Sequence, residues 1–273
     1  MGVLNVTPDS FSDGGAYLDL GAAVACAEAM VVEGAALIDV GGESTRPWAQ
    51  PVTVEDELRR VVPVIERLAR TVRVPISVDT SKAAVAERAL DVGASIVNDV
   101  TALRGDRRMA QVVAAAAGVP VVLMHMRGTP QTMSGETAYG DVVGEVIEEL
   151  QERIDEAVES GIARERLIVD PGIGFAKTAE QSVALIAQLD RLAVLDCPVL
   201  VGPSRKSFIG QVLDAPVEER VMGTAVAVCL SAWHGADIIR VHDVGLMRQV
   251  VRMTAAIRAR RESGSGCDRG SDE

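Results

Sequence analysis

The sequence predicts an α/β protein, a single-domain (β/α)8 barrel of the TIM type, and three observations support this. Eight short apolar runs rich in β-branched residues alternate with eight stretches of helical apolar spacing. Each run is too short for a helix and lacks period-2 alternation, as parallel strands covered on both faces require. The 273 residues suit one barrel, and the first run continues into NVTPDSFSDGG rather than the GxGxxG turn of a doubly wound sheet.

The strands are expected at GVLNV from Gly2, ALIDV from Ala36, PISVD from Pro75 and SIVND from Ser95. They continue at PVVLM from Pro120, LIVDP from Leu167, PVLVG from Pro198 and DIIRV from Asp237. Apolar residues at i, i+3 and i+4 predict helices over 21–33, 54–70, 82–92, 107–117, 141–160, 179–191, 218–233 and 246–260. Thr53 ahead of Asp56 marks a helix start, and Gly34, Gly93, Gly118, Gly161 and Gly235 stand where C-terminal caps belong. One domain therefore spans 1–260, and the polar, Gly/Ser-rich 261–273 is expected to be a disordered tail. The chain opens within its first strand, so we expect a barrel floor that is either open to solvent or plugged by its own side chains, with no N-terminal hairpin.

Apolar residues at 48% and charged residues at 24% are an ordinary globular balance. The net charge of −12 argues against a nucleic-acid partner, which clustered Lys and Arg would have to bind. Cys26, Cys197, Cys229 and Cys267 show no CxxC spacing and read as free thiols of a reducing compartment. No basic signal region opens the chain, and no apolar run approaches the roughly 18 residues of a membrane helix. A cytoplasmic protein acting on small molecules is expected.

Barrel sites lie at the C-terminal strand ends. Here these carry Asn5, then 41–46, Asp79, Asn98-Asp99, His125, Asp170, Ser204-Arg205-Lys206-Ser207 and Arg240 to Asp243. Strands also end in polar residues simply where they meet water. Asp39, Asp79, Asn98 and Arg240, however, interrupt apolar strand cores, and a buried charge is costly unless paired or bonded to a ligand. Their convergence suits a planar, hydrogen-bond-rich molecule. The SRKS segment opens a helical turn with two cations and can hold a carboxylate or phosphate. Arg240 and His242, two apart on one strand face, can clamp a second anion. The loops 7–15 and 41–47 are long, polar and glycine-bearing, as mobile lids are.

GVLNVTPDSFSDGG from Gly2 and DVGGESTRP from Asp39 resemble the two signatures of the dihydropteroate synthases. SVDTSK from Ser77, NDV from Asn98, LMHM from Leu123, DPGIGFAK from Asp170, SRKS from Ser204 and RVHDV from Arg240 follow in that family's order, as far as about Ile257. The resemblance implies that a 6-hydroxymethyl-7,8-dihydropterin pyrophosphate loses pyrophosphate in an SN1-like step, with Mg²⁺ on the leaving group, while p-aminobenzoate attacks. It assigns the pterin edge to Asp79, Asn98, Asp170 and Lys206. The ring is sandwiched by Val100, Met124 and Phe175, with Gly174 and Gly202 allowing close approach. Asn5, Arg46, Arg240 and His242 fall on pyrophosphate, Asn5 also on Mg²⁺. Asp13 and Arg46 close over the reacting centre, so Asp13, Arg46, Asp79 and Lys206 carry the catalytic roles. Phe11, Thr45, Pro47 and Ser207 form the p-aminobenzoate site. Trp48 stands where the family commonly has glycine, and Pro203 removes one backbone donor before Ser204. The resemblance also implies a homodimer through the last two helices. Two alternatives share parts of the pattern: a pterin-binding methyltetrahydrofolate–corrinoid methyltransferase and a non-catalytic paralogue. The first has no need of SRKS or of the Arg240–His242 pair, and the second usually loses a catalytic side chain.

Overall fold

Eight parallel strands form the wall of the barrel in a computed structural model that describes residues 1–7, 20–45 and 49–264. Strands β1 (Gly2–Asn5), β2 (Ile38–Gly41), β3 (Ile76–Asp79), β4 (Ile96–Asp99), β5 (Val121–Met124) and β6 (Leu167–Asp170) pair in chain order. Strands β7 (Leu200–Val201) and β8 (Ile238–Ile239) pair with each other. Backbone bonds complete the ring: Val169 N–H donates to Pro198 O at 2.9 Å, and Val3 N–H to Val241 O at 3.0 Å. All eight strands fall on the runs read from the sequence.

Outside the strands lie α1 (Leu20–Glu33), α2 (Val54–Thr71), α3 (Ala83–Asp91), α4 (Met109–Ala115), α5 (Val142–Glu159) and α6 (Ala179–Ala187), followed by α7 (Ser207–Leu213), α8 (Val221–Trp233) and α9 (Val244–Gly264). The periodicity of α2 shows why they pack. Val61, Val64, Ile65 and Leu68 form one buried stripe, and each such side chain contributes about 1.5–3 kcal/mol on leaving water. Thr53 caps this helix by accepting from Asp56 N–H at 3.1 Å. Gly93 ends the α3 unit at φ +121°, where a Cβ would lie 2.5 Å from that of Ala69, so only glycine fits.

Several helix boundaries shift from the periodicity, two helix ends by four residues each. Helix α6 stops at Ala187, and the chain continues as a 3₁₀ turn over Leu189–Leu195. There Leu189, Leu192 and Leu195 are buried at every third position, a spacing that the three-residue turn aligns and an α-helix would splay. Helix α9 runs to Gly264, past residue 260, because its Ala- and Arg-rich end keeps high helix propensity. No described helix is long and apolar enough to cross a membrane.

Strand alternation divides the core. Leu4, Ile38, Val40, Ile76, Val78, Val97, Val121, Leu123, Leu167 and Val169 join the main cluster beneath the helices. Val122, Ile168 and Leu200 form a separate cluster with Met1 and Ile238. Each of Val122, Ile168, Leu200 and Ile238 precedes a rim residue by two positions, so this cluster fills the interior directly below the mouth.

Candidate active site

The parallel register brings the strand ends to one level. Asn5 lies beside Gly41, Gly41 beside Asp79, and Asp79 beside Asn98. From the end of β8, which closes the ring beside β1, Arg240 reaches over, donating from Nε to Asp39 Oδ2 at 2.7 Å and from Nη2 to Asp79 Oδ2 at 2.8 Å. Asn98 Nδ2 donates to the same Asp39 oxygen at 3.0 Å. The four polar residues that interrupt the strand cores therefore pair with one another, as buried charge demands, with Asp39 Oδ1 left as a buried oxygen that has no hydrogen-bond partner. Burial pushes the Asp79 carboxyl well above the usual carboxylate range, with Arg240 opposing the shift. The expected Arg240–His242 anion clamp is thus already engaged in part. Arg240 has two nitrogens on carboxylates, leaving Nη1, and His242 Nδ1 lies 3.0 Å from Ser204 Oγ.

The end of β6 builds a second wall. Asp170 Oδ1 accepts from Gly172 N–H at 2.7 Å, and the following turn places Gly172 at φ +67° and Gly174 at φ +77°. Lys206 enters this turn from the β7 side, donating to Ile173 O, with Nζ 4.2 Å over the Phe175 ring. Burial lowers the Lys206 ammonium to about 8, with Asp170 opposing, while burial raises Asp170 and Lys206 opposes. Val100 and Met124 are buried in one cluster with Met126, Met133 and Ala176, and Phe175 packs against it. The three residues expected to sandwich a flat ring are therefore together, next to Asp170 and Lys206. A Cβ on Gly174 would lie 3.2 Å from Lys206 Cδ, whereas one on Gly202 would meet Arg240 at an ordinary 3.7 Å. Packing within the protein thus restricts Gly174 but not Gly202.

The SRKS loop corrects one expectation. Of its two cations only Lys206 turns into the site. Arg205, at φ +59°, forks onto Asp243, with Nε 3.0 Å from Oδ2 and Nη2 on Oδ1, because a guanidinium matches a carboxylate edge-on. Ser207 is the exposed first residue of α7, and Thr45 and Asn5 are half-buried at the rim. Phe11, Asp13, Arg46, Pro47 and Trp48 lie outside the described residues.

His125 is 3% exposed, not open to the mouth. Its Nε2 lies 3.0 Å from Glu149 Oε2 and its Nδ1 2.9 Å from Lys177 Nζ. Reading the sequence left Lys177 and Glu149 without roles. Lys177 stands in the quoted DPGIGFAK block, and a lysine directly after an apolar GFA run was the available signal. A second missed group is Lys82, whose Nζ lies 2.5 Å from both Glu43 Oε2 and the fully buried Glu57 Oε2. No spacing rule links residues 43, 57 and 82.

Residues 1–242 match the family described as pterin binding enzyme. The chain is 48% identical to the dihydropteroate synthase of Synechocystis sp. over 94% of this chain and 89% of that protein. A Yersinia pestis dihydropteroate synthase solved with a sulfonamide drug superposes with a TM-score of 0.89 at 44% identity, covering 94% of this chain and 93% of that one. A Xanthomonas albilineans dihydropteroate synthase with 4-aminobenzoic acid gives 0.88 at 47% identity, covering 94% and 92%.

Proposed function

This chain belongs to the pterin-binding enzyme family, among the dihydropteroate synthases, and from that premise we propose how its barrel mouth performs the transferase reaction of folate biosynthesis. The 6-hydroxymethyl-7,8-dihydropterin pyrophosphate and p-aminobenzoate condense to 7,8-dihydropteroate. The carbon–oxygen bond to pyrophosphate breaks with its electron pair on oxygen, the amine nitrogen bonds the methylene carbon, and the amine loses a proton.

One observation supports the reading: Val100 and Met124 cluster with Phe175, Lys206 Nζ stands over the Phe175 ring, Asp170 pairs in register with Met124, and Asp79 with Asn98. Carboxylates accept from the ring N–H and amino groups of a pterin, and the Lys206 ammonium donates to its acceptor atoms. The buried charges are held before the ligand arrives, so little reorganisation is needed when positive charge develops on the methylene. Arg240 Nη1 and His242 take the pyrophosphate, with Arg46 and Asp13 of the two long loops closing over the reacting centre and keeping water from it. Ser207 and Thr45, with Phe11 and Pro47, hold p-aminobenzoate.

Mg²⁺ suits this site as a companion of the pyrophosphate. Among the described residues there is no group of three His, Cys, Asp or Glu side chains able to hold a metal. Asn5 at the end of β1 offers one neutral oxygen, which fits an ion whose other ligands are phosphate oxygens and water. When bound, the ion neutralises charge on the departing pyrophosphate. The decisive experiment follows pyrophosphate release, which should require both substrates; release without the amine, or none with both, would overturn the assignment.

A homodimer through α8 and α9 fits the exposed apolar surface. Met222, Val226 and Leu230 project from α8 at four-residue spacing, and Leu246, Met253 and Ile257 from α9. The two helices pack side by side, and exposed apolar side chains on neighbouring helices are what an interface covers.

A further inference from the structure

We propose that Lys177 is a positioning residue for pterin binding, held by an oriented His125 and fixing the turn that carries Phe175. The proposal rests on the functional reading above and adds a residue that touches neither substrate.

The turn after β6 is closed by one backbone bond, Phe175 N–H to Gly172 O at 2.9 Å, yet its backbone is strained. Gly172, Gly174 and Ala176 all have positive φ, at +67°, +77° and +49°, and Ala176 has no glycine's freedom to do so. A Cβ on Gly172 would come within 1.9 Å of His125 O, so the turn lies directly on the end of β5. Two lysines hold it by its carbonyls. Lys206 donates to Ile173 O, and Lys177 Nζ donates to Phe175 O at 2.9 Å. The same Lys177 Nζ also reaches His125 Nδ1 at 2.9 Å.

The bonding assigns the tautomer. Glu149, its carboxyl lowered by its bonds to His125 and Arg127, can only accept, so the ring proton belongs on Nε2, 3.0 Å from Glu149 Oε2. The neutral ring leaves Nδ1 to accept from Lys177. Burial lowers His125 to about 4, which keeps the ring neutral in this role. Glu149 is fixed in turn by Arg127, whose Nε donates to Oε1 at 2.8 Å and whose guanidinium carbon stands 3.9 Å over the Tyr139 ring. A line of hydrogen bonds thus runs from α5 through His125, the residue after β5, to the carbonyl of Phe175. Lys177 is only 9% exposed, where an apolar side chain would pack at less cost than an ammonium. Holding the turn is what the lysine does there.

The test compares Lys177→Met, Glu149→Ala and Glu149→Gln, with binding of 6-hydroxymethyl-7,8-dihydropterin pyrophosphate measured by calorimetry without amine. The KM for p-aminobenzoate is read separately, and thermal melts check the fold. Lys177→Met should weaken pterin binding by about tenfold or more while the KM for p-aminobenzoate stays within about twofold. Glu149→Ala should show a smaller loss of the same kind, restored by Glu149→Gln, whose amide oxygen still accepts from His125. Should Lys177→Met fail to fold, the Glu149 pair decides alone. Unchanged pterin binding in Glu149→Ala and in a folded Lys177→Met, or equal losses for both substrates, overturns the proposal. A wild-type chain that binds no pterin overturns the functional reading itself.

Discussion

Arg240 donates from Nη2 to Asp79 Oδ2 at 2.8 Å, a bond that ties the residue after β8 to the end of β3 across the barrel. The same guanidinium holds Asp39, which is wholly buried. Arg240 is therefore the counter-charge of the mouth as well as a candidate ligand for pyrophosphate.

Arg240→Met should destabilise the fold by about 3–5 kcal/mol, because two buried carboxylates lose the cation that compensates them. The loss should be smaller in acid, where Asp79, raised by burial, takes up a proton more readily once Arg240 no longer opposes it. Urea denaturation at neutral pH and near pH 5 would measure both; equal losses at the two values would count against the role given to Asp79.

Asp170→Asn should leave the melting temperature nearly unchanged and weaken pterin binding by about ten- to a hundredfold. The amide oxygen can still accept from Gly172 N–H, which Asp170 Oδ1 binds at 2.7 Å. Its NH₂ then puts a donor where the pterin needs an acceptor. Near-normal pterin affinity would remove Asp170 from the site.

Ser207→Ala should raise the KM for p-aminobenzoate several-fold, since one hydroxyl hydrogen bond contributes about 0.5–1.5 kcal/mol. Ser207 is exposed at the start of α7, so stability should not change. Weaker pterin binding with an unchanged amine KM would show that the two substrates are assigned to the wrong ends of the SRKS loop.

Lys177 supplies a pH signature. Burial draws its ammonium down from 10.5 to about 7, with Asp170 and Glu149 opposing and Lys206 and Arg127 reinforcing the shift. Between those values the unfolded chain binds a proton that the folded chain does not, so this group's contribution to stability rises with pH. Below about 7 the penalty of the buried charge is fully present. The stability of the wild type relative to Lys177→Met should therefore increase from pH 7 towards pH 10. A constant difference would show that the lysine titrates normally.

EDTA should abolish turnover and leave the thermal unfolding curve in place, because the described residues contain no cluster able to hold a structural metal. A large drop in melting temperature on chelation would show that the ion supports the fold.

The strands and their order were legible in the sequence because a parallel strand covered on both faces must be a short apolar run, whatever its partners. ALIDV and LIVDP announce β2 and β6 locally, and Thr53 announces α2 by a bond to Asp56 N–H three residues away. The polar breaks at Asp39, Asp79, Asn98 and Arg240 were equally plain, since charge inside an apolar run must be compensated. What compensates it was not. Arg240 meets Asp39 and Asp79 across 201 and 161 residues of chain, and closure of the barrel alone decides that. The same holds for Lys177, His125 and Glu149, and for Arg205, which turned to Asp243 rather than to the mouth. Composition and spacing determine what each segment must bury. Only the closed ring determines which buried charges meet, because electrostatic and hydrogen-bond partners are set by distance in space and not along the chain.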